Sequence, residues 1–243
     1  TMVDSLLVHE IYLSIQGEST FAGLPCAFVR LTGCDLRCSY CDTAYAFTGG
    51  QSMIIDEVVA ELEKRCAFTG EHGNKLPLVE LTGGEPLLQK NVHSLMRRLC
   101  DMGLTVLVET SGAHDISASD PRVCHIMDWK CPSSSESTKM LTENIARLKP
   151  SDEVKFVIGT EEDYAWAKIQ LAAHRLDERC PVLFSWVAPL EAHQQDESLK
   201  PVPTGHTPIT RRELVERITR DKLRVRFQLQ MHKFIWPPDE KGV

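Results

Sequence analysis

Three cysteines stand close together in the chain, at Cys34, Cys38 and Cys41, directly after a short apolar segment that ends at Thr32. A loop with this spacing can surround a compact inorganic centre with thiolates. Four thiolates saturate a zinc ion or a cubane iron–sulfur cluster, whereas three leave one iron open to bind and activate another molecule. The spacing therefore predicts a metal centre in this loop.

Zinc and unreactive thiols are the alternatives to an iron–sulfur cluster. Zinc is usually held by two pairs of ligands, and the sequence contains no second C-x2-C or H-x3-H pair. Cys26 could act as a fourth ligand, but it would begin the preceding strand and lie at the far end from the loop. The spacing favours the cluster over zinc, and a metal centre over buried, unreactive thiols.

The composition places this loop in an ordinary globular chain. Of 243 residues, 42% are apolar and 25% are charged, which suits one domain over residues 1–243 with a sizeable core. The net charge of −7 argues against a broad nucleic-acid surface. We expect no membrane span and no secretory signal, because no apolar run approaches roughly 20 residues and no basic segment leads into a long apolar one.

The cysteine count carries information on the compartment. The nine cysteines lie at positions 26, 34, 38, 41, 66, 100, 124, 131 and 180. An odd number, in a chain of this size without a secretory signal, is typical of reduced thiols rather than of a disulfide framework. We therefore predict a cytoplasmic protein.

Strand-like and helix-like segments alternate along the chain and must position the cysteine loop. Short apolar runs predict strands that include Cys26–Thr32 and Leu78–Thr82, whereas apolar residues at helical spacing predict a helix over Asp56–Phe68. Repeated strand–helix units imply parallel strands covered by helices. About seven strands fall short of a complete eight-unit barrel, so we predict an α/β fold of the partial, shortened barrel type.

The two most unusual loops both follow predicted strands. The cysteine loop comes after Thr32, and a paired glycine, Gly83-Gly84, comes after Thr82. Active sites of parallel α/β folds gather at the carboxyl ends of the strands, so both loops are expected there. A last predicted strand, Val225–Met231, adds a polar face that meets either solvent or a ligand-filled lumen. That face consists of Arg226, Gln228, Gln230 and His232.

Together, the two loops resemble the signatures of the radical S-adenosylmethionine (SAM) superfamily. The first signature is C-x3-C-x2-C with an aromatic residue, Tyr40, before the third cysteine, and the second is Thr82-Gly83-Gly84-Glu85-Pro86. The resemblance implies a 4Fe–4S cluster whose open iron chelates SAM, and one electron that cleaves SAM to a radical that abstracts a substrate hydrogen. It places Tyr40 near the adenine. Paired glycines let the backbone approach the SAM amino group, from which Glu85 accepts a hydrogen bond.

Five further segments are similar to the 7-carboxy-7-deazaguanine synthases. They are Ile15–Ser19, Phe28–Cys34, Cys41–Thr43, Val108–Gly112 and Gln230–Lys233. The resemblance runs from about Glu10 to the C-terminus. It implies conversion of 6-carboxy-5,6,7,8-tetrahydropterin to 7-carboxy-7-deazaguanine with loss of ammonia, in queuosine biosynthesis. It also implies a shortened radical SAM barrel, a magnesium ion, a homodimer and an external electron donor such as flavodoxin.

This second resemblance assigns roles to individual residues. The pterin contacts would be Ile15, Gln16, Gly17, Glu18, Arg30 and Thr82. The SAM contacts would be Tyr40, Cys41, Asp42, Gly84, Glu85, Lys130 and Ser185. The cluster ligands would be Cys34, Cys38 and Cys41, and the magnesium ligand Thr43. Glu109 and His232 would handle protons, and a core over about residues 10–236 would carry a tail, 237–243, that closes near the substrate.

Each assignment suits the chemistry, and each has a structural alternative. The planar guanidinium of Arg30 can bind a carboxylate through two hydrogen bonds, but an arginine at a strand end also reaches out to water. Glu109 after apolar Val106–Val108 needs a partner or a polar lumen, unless it is a strand-end charge in water. His232 can shuttle protons or be structural. Thr43 suits magnesium, which keeps several waters, or it caps a turn.

Two SAM-contacting segments depart from the family's pattern. Asp128-Trp129-Lys130 stands where Ser-Pro-Lys is often found, and Ser185-Trp186 stands where Gln-Pro or Ser-Pro is often found. SAM contact by Lys130 and Ser185 therefore depends on how these segments fold. Two other functions remain open from the sequence: another small radical SAM enzyme, such as a glycyl-radical activase with a protein-docking surface, and a zinc-stapled binding module. Gln16, Glu18 and Arg30 favour a small polar substrate instead.

Overall fold

One nine-stranded sheet organises the protein, which we describe from a computed structural model over residues 4–66, 78–237 and 239–243. The strands are β1 (Ser5–Ile15), β2 (Pro25–Leu31), β3 (Gln51–Ile54), β4 (Leu78–Gly83), β5 (Thr105–Thr110), β6 (Cys124–Asp128), β7 (Glu153–Ile158), β8 (Val182–Trp186) and β9 (Arg226–Gln228). Their order across the sheet is β3-β1-β2-β4-β5-β6-β7-β8-β9.

Six α-helices lie in the described part of the chain. They are α1 (Ile55–Cys66), α2 (Val92–Asp101), α3 (Asn144–Arg147), α4 (Glu161–His174), α5 (Arg211–Arg220) and α6 (His232–Ile235). The predicted capping box of Thr210 and Glu213 is present at the start of α5, where each side chain bonds the other's backbone N–H. The predicted end of α1, at Phe68, lies outside the described residues. None of the described helices is long and apolar enough to span a membrane.

The sheet is mostly parallel, which confirms the predicted α/β class. From β2 through β4 to β9 every neighbouring pair is parallel. At the other edge, β1 runs antiparallel to β2, and β3 runs antiparallel to β1. The strand β3 was not predicted, because its four residues, of which Gln51 and Ser52 are exposed, show no apolar alternation.

The outer and inner faces of the sheet differ in chemistry. On the outer face, two apolar layers pack against the helices: one joins β1, β2, β4 and β5 to α1 and α2, and the other joins β6, β7 and β8 to α4 and α5. On the inner face, a small apolar cluster that includes Phe28, Leu78 and Leu107 occupies the amino-terminal ends of the parallel strands. Because side chains alternate along a strand, the next inner positions toward the carboxyl ends are Arg30, Glu80 and Glu109.

The seam of the partial barrel is closed by a loop and not by a strand pair. The loop after β1 lies against the segment after β9: the Met231 N–H donates to the Gly17 carbonyl at 3.1 Å, and the Gln228 side chain donates to the Ser19 carbonyl at 3.2 Å. Thr20 in the same loop is bound by the Glu153 carboxylate at the start of β7. These contacts enclose the polar inner face.

The predicted final strand, Val225–Met231, was too long. Only Arg226–Gln228 pairs with β8, and the chain then turns into the short helix α6, which begins at His232. The reason is the contact with Gly17, which takes the Met231 N–H away from the sheet. His232 therefore does not share a strand face with Gln228, as the alternation had implied.

Candidate active site

A cavity of about 570 Å3 opens on the inner face of the sheet. Seventeen of the predicted site residues line it: Ile15, Gln16, Gly17, Glu18, Arg30, Cys34, Cys38, Tyr40, Cys41, Asp42, Thr43, Thr82, Gly84, Glu109, Lys130, Ser185 and His232. Residues more than 200 positions apart in sequence thus meet at one site. The remaining predicted residue, Glu85, does not line the cavity.

The cysteine loop is held mainly by contacts to backbone groups. The buried carboxylate of Glu136 accepts the Arg37 N–H at 2.7 Å, and the Ser39 N–H donates to the Ser134 carbonyl at 3.1 Å. The Arg37 guanidinium donates back to the Cys34 carbonyl at 2.7 Å. The loop after β6 therefore fixes the chain on both sides of the second cysteine, Cys38.

The paired glycine packs directly against the cysteine loop. A Cβ on Gly84 would lie 2.1 Å from the Gly33 carbonyl oxygen and 2.8 Å from the Cys34 Cβ, and one on Gly83 would lie 2.2 Å from the Leu31 carbonyl oxygen. Gly83 also has a φ of +140°. No residue with a Cβ fits either position without moving this backbone. The glycines are thus explained by loop packing as well as by approach to a ligand.

Glu85 has a structural role that the sequence did not indicate. Its fully buried carboxylate accepts the Leu87 N–H at 2.9 Å, the Thr110 hydroxyl at 2.9 Å and the Ser111 N–H at 2.7 Å. These bonds join the turn after β4 to the end of β5. Both carboxylate oxygens are bonded away from the cavity, so this arrangement gives the predicted contact between Glu85 and SAM no support, and the contact stays a prediction.

A buried lysine organises the middle of the cavity. Lys155 on β7 is 2% exposed, and its ammonium contacts the carboxylates of Glu18, at 3.0 Å, and Glu109. Burial disfavours the charged form of Glu18, but Lys155, His232 and the Gln230 amide together lower its pKa from 4.5 to about 2. The alternative that Glu109 is a strand-end charge in water does not hold, since Glu109 has a buried partner.

Gln16 lines the cavity, and both polar atoms of its side chain form hydrogen bonds within the protein. The side chain is 1% exposed; its carbonyl oxygen accepts the N–H groups of Glu18 and Ser19, each at 2.9 Å, and its amide nitrogen donates to Glu80 at 3.0 Å. The residue therefore shapes the loop after β1. Its predicted pterin contact is not tested by this arrangement and stays a prediction.

The Arg30 guanidinium is held at the cavity surface by hydrogen bonds to neighbouring side chains. Its Nε donates to the Glu10 carboxylate at 2.7 Å, and one terminal nitrogen donates to the Tyr12 hydroxyl at 2.7 Å. The Tyr45 hydroxyl donates to the same Glu10 oxygen at 3.0 Å. These bonds fix the plane of the guanidinium at the cavity surface, so the residue does not reach out to bulk water.

The segment Asp128-Trp129-Lys130 divides between the two faces of β6. Trp129 is buried on the outer face, with its ring 5.9 Å from that of Phe156 and 6.0 Å from that of Trp166. On the cavity side, the Lys130 ammonium binds Asp128 at 2.6 Å and lies 5.8 Å from the Tyr40 ring centre. Within the described ranges, Asp128 Oδ1 and the Tyr40 hydroxyl are buried without a hydrogen-bond partner.

The last wall of the cavity combines the cysteine loop with the C-terminal segment. The Thr43 hydroxyl donates to Asp42 at 2.8 Å, and the Lys233 ammonium binds the other Asp42 oxygen at 2.5 Å. His232 packs on Gly17, where a Cβ would lie 2.7 Å from its Nδ1. Residues 239–243 also line the cavity, with the Lys241 ammonium 4.2 Å from the Tyr45 ring centre.

Known proteins match both the loops and the whole chain. The Radical SAM superfamily matches residues 28–127. The 7-carboxy-7-deazaguanine synthases of Koribacter versatilis and Chlorobaculum tepidum are 42% and 43% identical over 97% and 98% of this chain, and over 99% and 97% of their own lengths. The chain belongs to the 7-carboxy-7-deazaguanine synthase family.

The solved structure of QueE from Escherichia coli has the same fold. It aligns with a TM-score of 0.69 and 19% identity over 94% of this chain and 95% of its own. The radical SAM barrel predicted from the sequence is thereby confirmed. The two alternatives, a glycyl-radical activase and a zinc-stapled module, are not favoured by the relatives.

The cofactors of this radical SAM enzyme, a 4Fe–4S cluster and SAM, fit the cavity. Cys34, Cys38 and Cys41 are free thiols on one wall. Burial raises the pKa of Cys38 from 9.0 to about 11 and that of Cys41 to about 12, so binding iron as thiolates must displace protons. In the described ranges, no group of three His, Cys, Asp or Glu side chains is close enough together to hold a single metal ion. This is compatible with a cubane cluster, because each cysteine then binds a different iron. The buried, unpaired oxygens of Asp128 and Tyr40 add polar groups for a ligand beside the cluster wall.

Sequence reasoning missed Lys155 and Glu80. Each is a charged residue in the middle of an apolar strand, between Val154 and Phe156 and between Val79 and Leu81. Such a position is costly for a charge unless the strand faces a polar interior, which was the available signal. The family resemblance drew attention to the loops, so the strand interiors were passed over.

Proposed function

We propose that this protein is a 7-carboxy-7-deazaguanine synthase, which converts 6-carboxy-5,6,7,8-tetrahydropterin to 7-carboxy-7-deazaguanine with release of ammonia for queuosine and related 7-deazapurines. The observation that carries the proposal is the meeting of two sets of groups on one cavity. The three thiols form one wall, and the polar groups of Glu18, Arg30 and Glu109 form another. The near full-length relatives of the same name support it.

The bound cluster and SAM would supply the radical that removes a substrate hydrogen, while this chain's residues bind and orient the pterin. Arg30, fixed in plane by Glu10 and Tyr12, would take the pterin carboxylate through its remaining N–H groups. Glu18 is held as an anion and would accept hydrogen bonds from the pterin's N–H edge. Thr43 would present its hydroxyl to a magnesium ion beside that carboxylate.

Proton handling is assigned to Glu109 and His232. Glu109 contacts the Lys155 ammonium at the cavity surface, where its carboxyl group would exchange protons with the substrate. His232 lies against Gly17 at the closed seam, where it is within the electrostatic reach of Glu18 and Asp42. SAM would contact Tyr40, Cys41, Asp42, Gly84, Lys130 and Ser185.

Partners and organisation belong to the same proposal. An external electron donor such as flavodoxin would reduce the cluster, and two copies of the chain would form a homodimer. Cys34, Cys38, Cys41, Cys100, Cys124, Cys131 and Cys180 are free thiols, which suits a reducing cytoplasm. Residues 1–243 would form one domain, and the described tail residues 239–243, which line the cavity, would close near the substrate.

Anaerobic turnover tests the proposed function. The cluster is reconstituted and reduced, SAM, magnesium and 6-carboxytetrahydropterin are added, and the products are separated by mass. We expect 7-carboxy-7-deazaguanine without stoichiometric 5′-deoxyadenosine, because SAM is regenerated. A protein that cleaves SAM but forms no deazaguanine would retain the superfamily chemistry and lose the proposed substrate.

Arg30→Ala tests the substrate wall separately from the cluster. We expect the iron content to be unchanged and the pterin affinity to fall about 10- to 100-fold, because a charge-assisted hydrogen-bonded contact is lost. Anaerobic calorimetric titration with the pterin measures this. Arg122→Ala is the matched control, because Arg122 is half-exposed and pairs with Asp101 and Asp120, which do not line the cavity. Equal pterin affinity in both variants would remove Arg30 from the binding site.

A further inference from the structure

Glu80 is a buried carboxyl group that faces the cavity, and no lysine, arginine or histidine of the described residues forms a salt bridge with it. It lies in the middle of β4, is 2% exposed and lines the cavity. Its neighbours across the sheet are Phe28 on β2 and Leu107 on β5, both part of the apolar cluster below the cavity. An ionised carboxylate in such a place is expensive unless it is compensated.

The Glu80 carboxyl group accepts a hydrogen bond from the Gln16 side-chain amide at 3.0 Å. The Gln16 amide cannot be turned over, because its oxygen already accepts two backbone N–H groups. Oε2 of Glu80 therefore acts as an acceptor. If the carboxyl group carries a proton, that proton is on Oε1, the oxygen that Gln16 leaves unused.

Glu109 occupies the other side of Glu80. Both residues lie on the inner face, because Glu80 is opposite Leu107 and Glu109 follows two positions later. The two carboxyl groups are within hydrogen-bonding reach; burial and then the charge of Glu109 raise the pKa of Glu80 well above its usual value. Tyr12 on β1 and Glu18 in the loop also act on Glu80, and neither supplies a positive charge; the cations Arg30 and Lys155 on the same cavity are paired with Glu10 and with Glu18 and Glu109.

The charges of the cluster support one shared proton. Lys155 is the cation that Glu18 and Glu109 contact, and it is already divided between these two carboxylates. A third carboxylate at Glu80 would add a negative charge beside Glu109. Two adjacent carboxyl groups that cannot both ionise hold one proton between them.

We propose that Glu80 stores a proton for Glu109 and passes it on when the substrate's leaving nitrogen is released, so that Glu80 is a proton-holding residue behind the substrate-contacting Glu109. In this step the O–H bond of Glu80 breaks as one forms on Glu109. The O–H bond of Glu109 then breaks as an N–H bond forms on the leaving nitrogen. The pair is left with one more negative charge and regains its proton from water before the next turnover. The step rests on the proposed function, which supplies the leaving nitrogen.

Isotope-edited infrared spectroscopy of the holoenzyme tests the stored proton independently of turnover. With 13C-labelled glutamate, we expect a protonated carboxyl C=O band at neutral pH that disappears in Glu80→Gln. Glu136→Gln is the matched control: Glu136 is also buried and labelled, but although burial opposes it, hydrogen bonds from Lys200, the Arg37 N–H and Lys139 lower its pKa, so its removal leaves the band in place. An unchanged band in Glu80→Gln would overturn the proposal even if the enzyme makes no deazaguanine.

Turnover then tests the use of the proton. In Glu80→Gln we expect kcat to fall about tenfold or more, within the usual range for acid–base groups, with KM for the pterin and the cluster content unchanged. The wild-type kcat should be at its maximum below the pKa of the shared proton and decline above it. This decline at high pH should be absent from the pH profile of Glu80→Gln. Glu80→Asp keeps an ionisable group, so it should recover part of kcat and part of the decline at high pH. Wild-type kcat and pH profile in Glu80→Gln would overturn the role, whereas absence of product from the wild type would refute only the proposed reaction.

Discussion

The cysteine loop and the charged interior line the same cavity but are held by different forces. The loop is fixed by backbone hydrogen bonds and by glycines that leave no room for a Cβ. The interior is fixed by charge, since Lys155 holds Glu18 and Glu109, and Glu10 holds Arg30. Steric constraints do not depend on pH, whereas buried charge pairs do. The two walls should therefore respond to different perturbations.

Cys38→Ala should have the largest effect, confined to the cysteine loop. With one of three thiolates lost, we expect no stable cluster and no SAM cleavage, because two cysteines cannot hold a cubane with one open iron. Iron and acid-labile sulfide content after anaerobic reconstitution measures this. Cys180→Ala is the control, because Cys180 is a buried thiol in the outer apolar layer and should leave the cluster intact. A full cluster in Cys38→Ala would mean that other ligands bind the iron.

Lys155→Met removes the cation from the charged interior and does not change the cysteine loop. Removal of one partner from a buried charge pair costs about 3–5 kcal/mol of unfolding free energy at neutral pH. The lowered pKa of Glu18, about 2 against 4.5, means that its pairing stabilises the fold above pH 4.5 and is lost as the pH falls toward 2. The variant should lack this acid dependence.

Chemical denaturation of the wild type and Lys155→Met at several pH values provides the measurement. The two stabilities should converge as the pH falls, because protonated carboxyl groups no longer need the ammonium. A constant difference between them from neutral to acid pH would show that Lys155 acts through packing and not through charge.

Gly84→Ala tests the steric wall with a smaller change. The added methyl group meets the Gly33 backbone, so we expect about 1–3 kcal/mol of destabilisation and weaker cluster binding at every pH. Gly103→Ala is the matched control: it has a φ of +79° but nothing within 4 Å of the added Cβ. It should cost about 1 kcal/mol from backbone strain and leave iron content unchanged. Equal cluster loss in both variants would point to general instability.

Trp129→Phe should have the smallest effect, because Trp129 belongs neither to the cysteine loop nor to the charged interior. Trp129 packs on the outer face against Phe156 and Trp166, so we expect about 1–2 kcal/mol of lost stability from the smaller ring. SAM affinity, measured by anaerobic titration, should stay within about twofold of wild type, because the cavity side of this segment is Asp128 and Lys130. A large loss of SAM affinity would show that the outer layer sets the position of these two groups.

Much of the site was predictable because its loops carry rare patterns. The cysteine spacing and the paired glycine are local features, and both were expected at the carboxyl ends of strands. The hydrogen bonds of Glu85 and the end of the strand before His232 were not predictable from local patterns, for a different reason. Glu85 binds Thr110 and Ser111, and the turn before His232 is set by Gly17, so distant parts of the chain decide both.

The sequence by itself determined the chemistry and the class of fold. The thiol spacing, the strand–helix alternation and the apolar outer positions are local patterns, and burial of apolar surface is enough to turn them into a parallel sheet under helices. Only the tertiary structure decided which polar residues meet. Lys155, Glu18, Glu109 and Glu80 come from three strands and one loop, and their ionisation depends on mutual distance and burial, which no local pattern encodes.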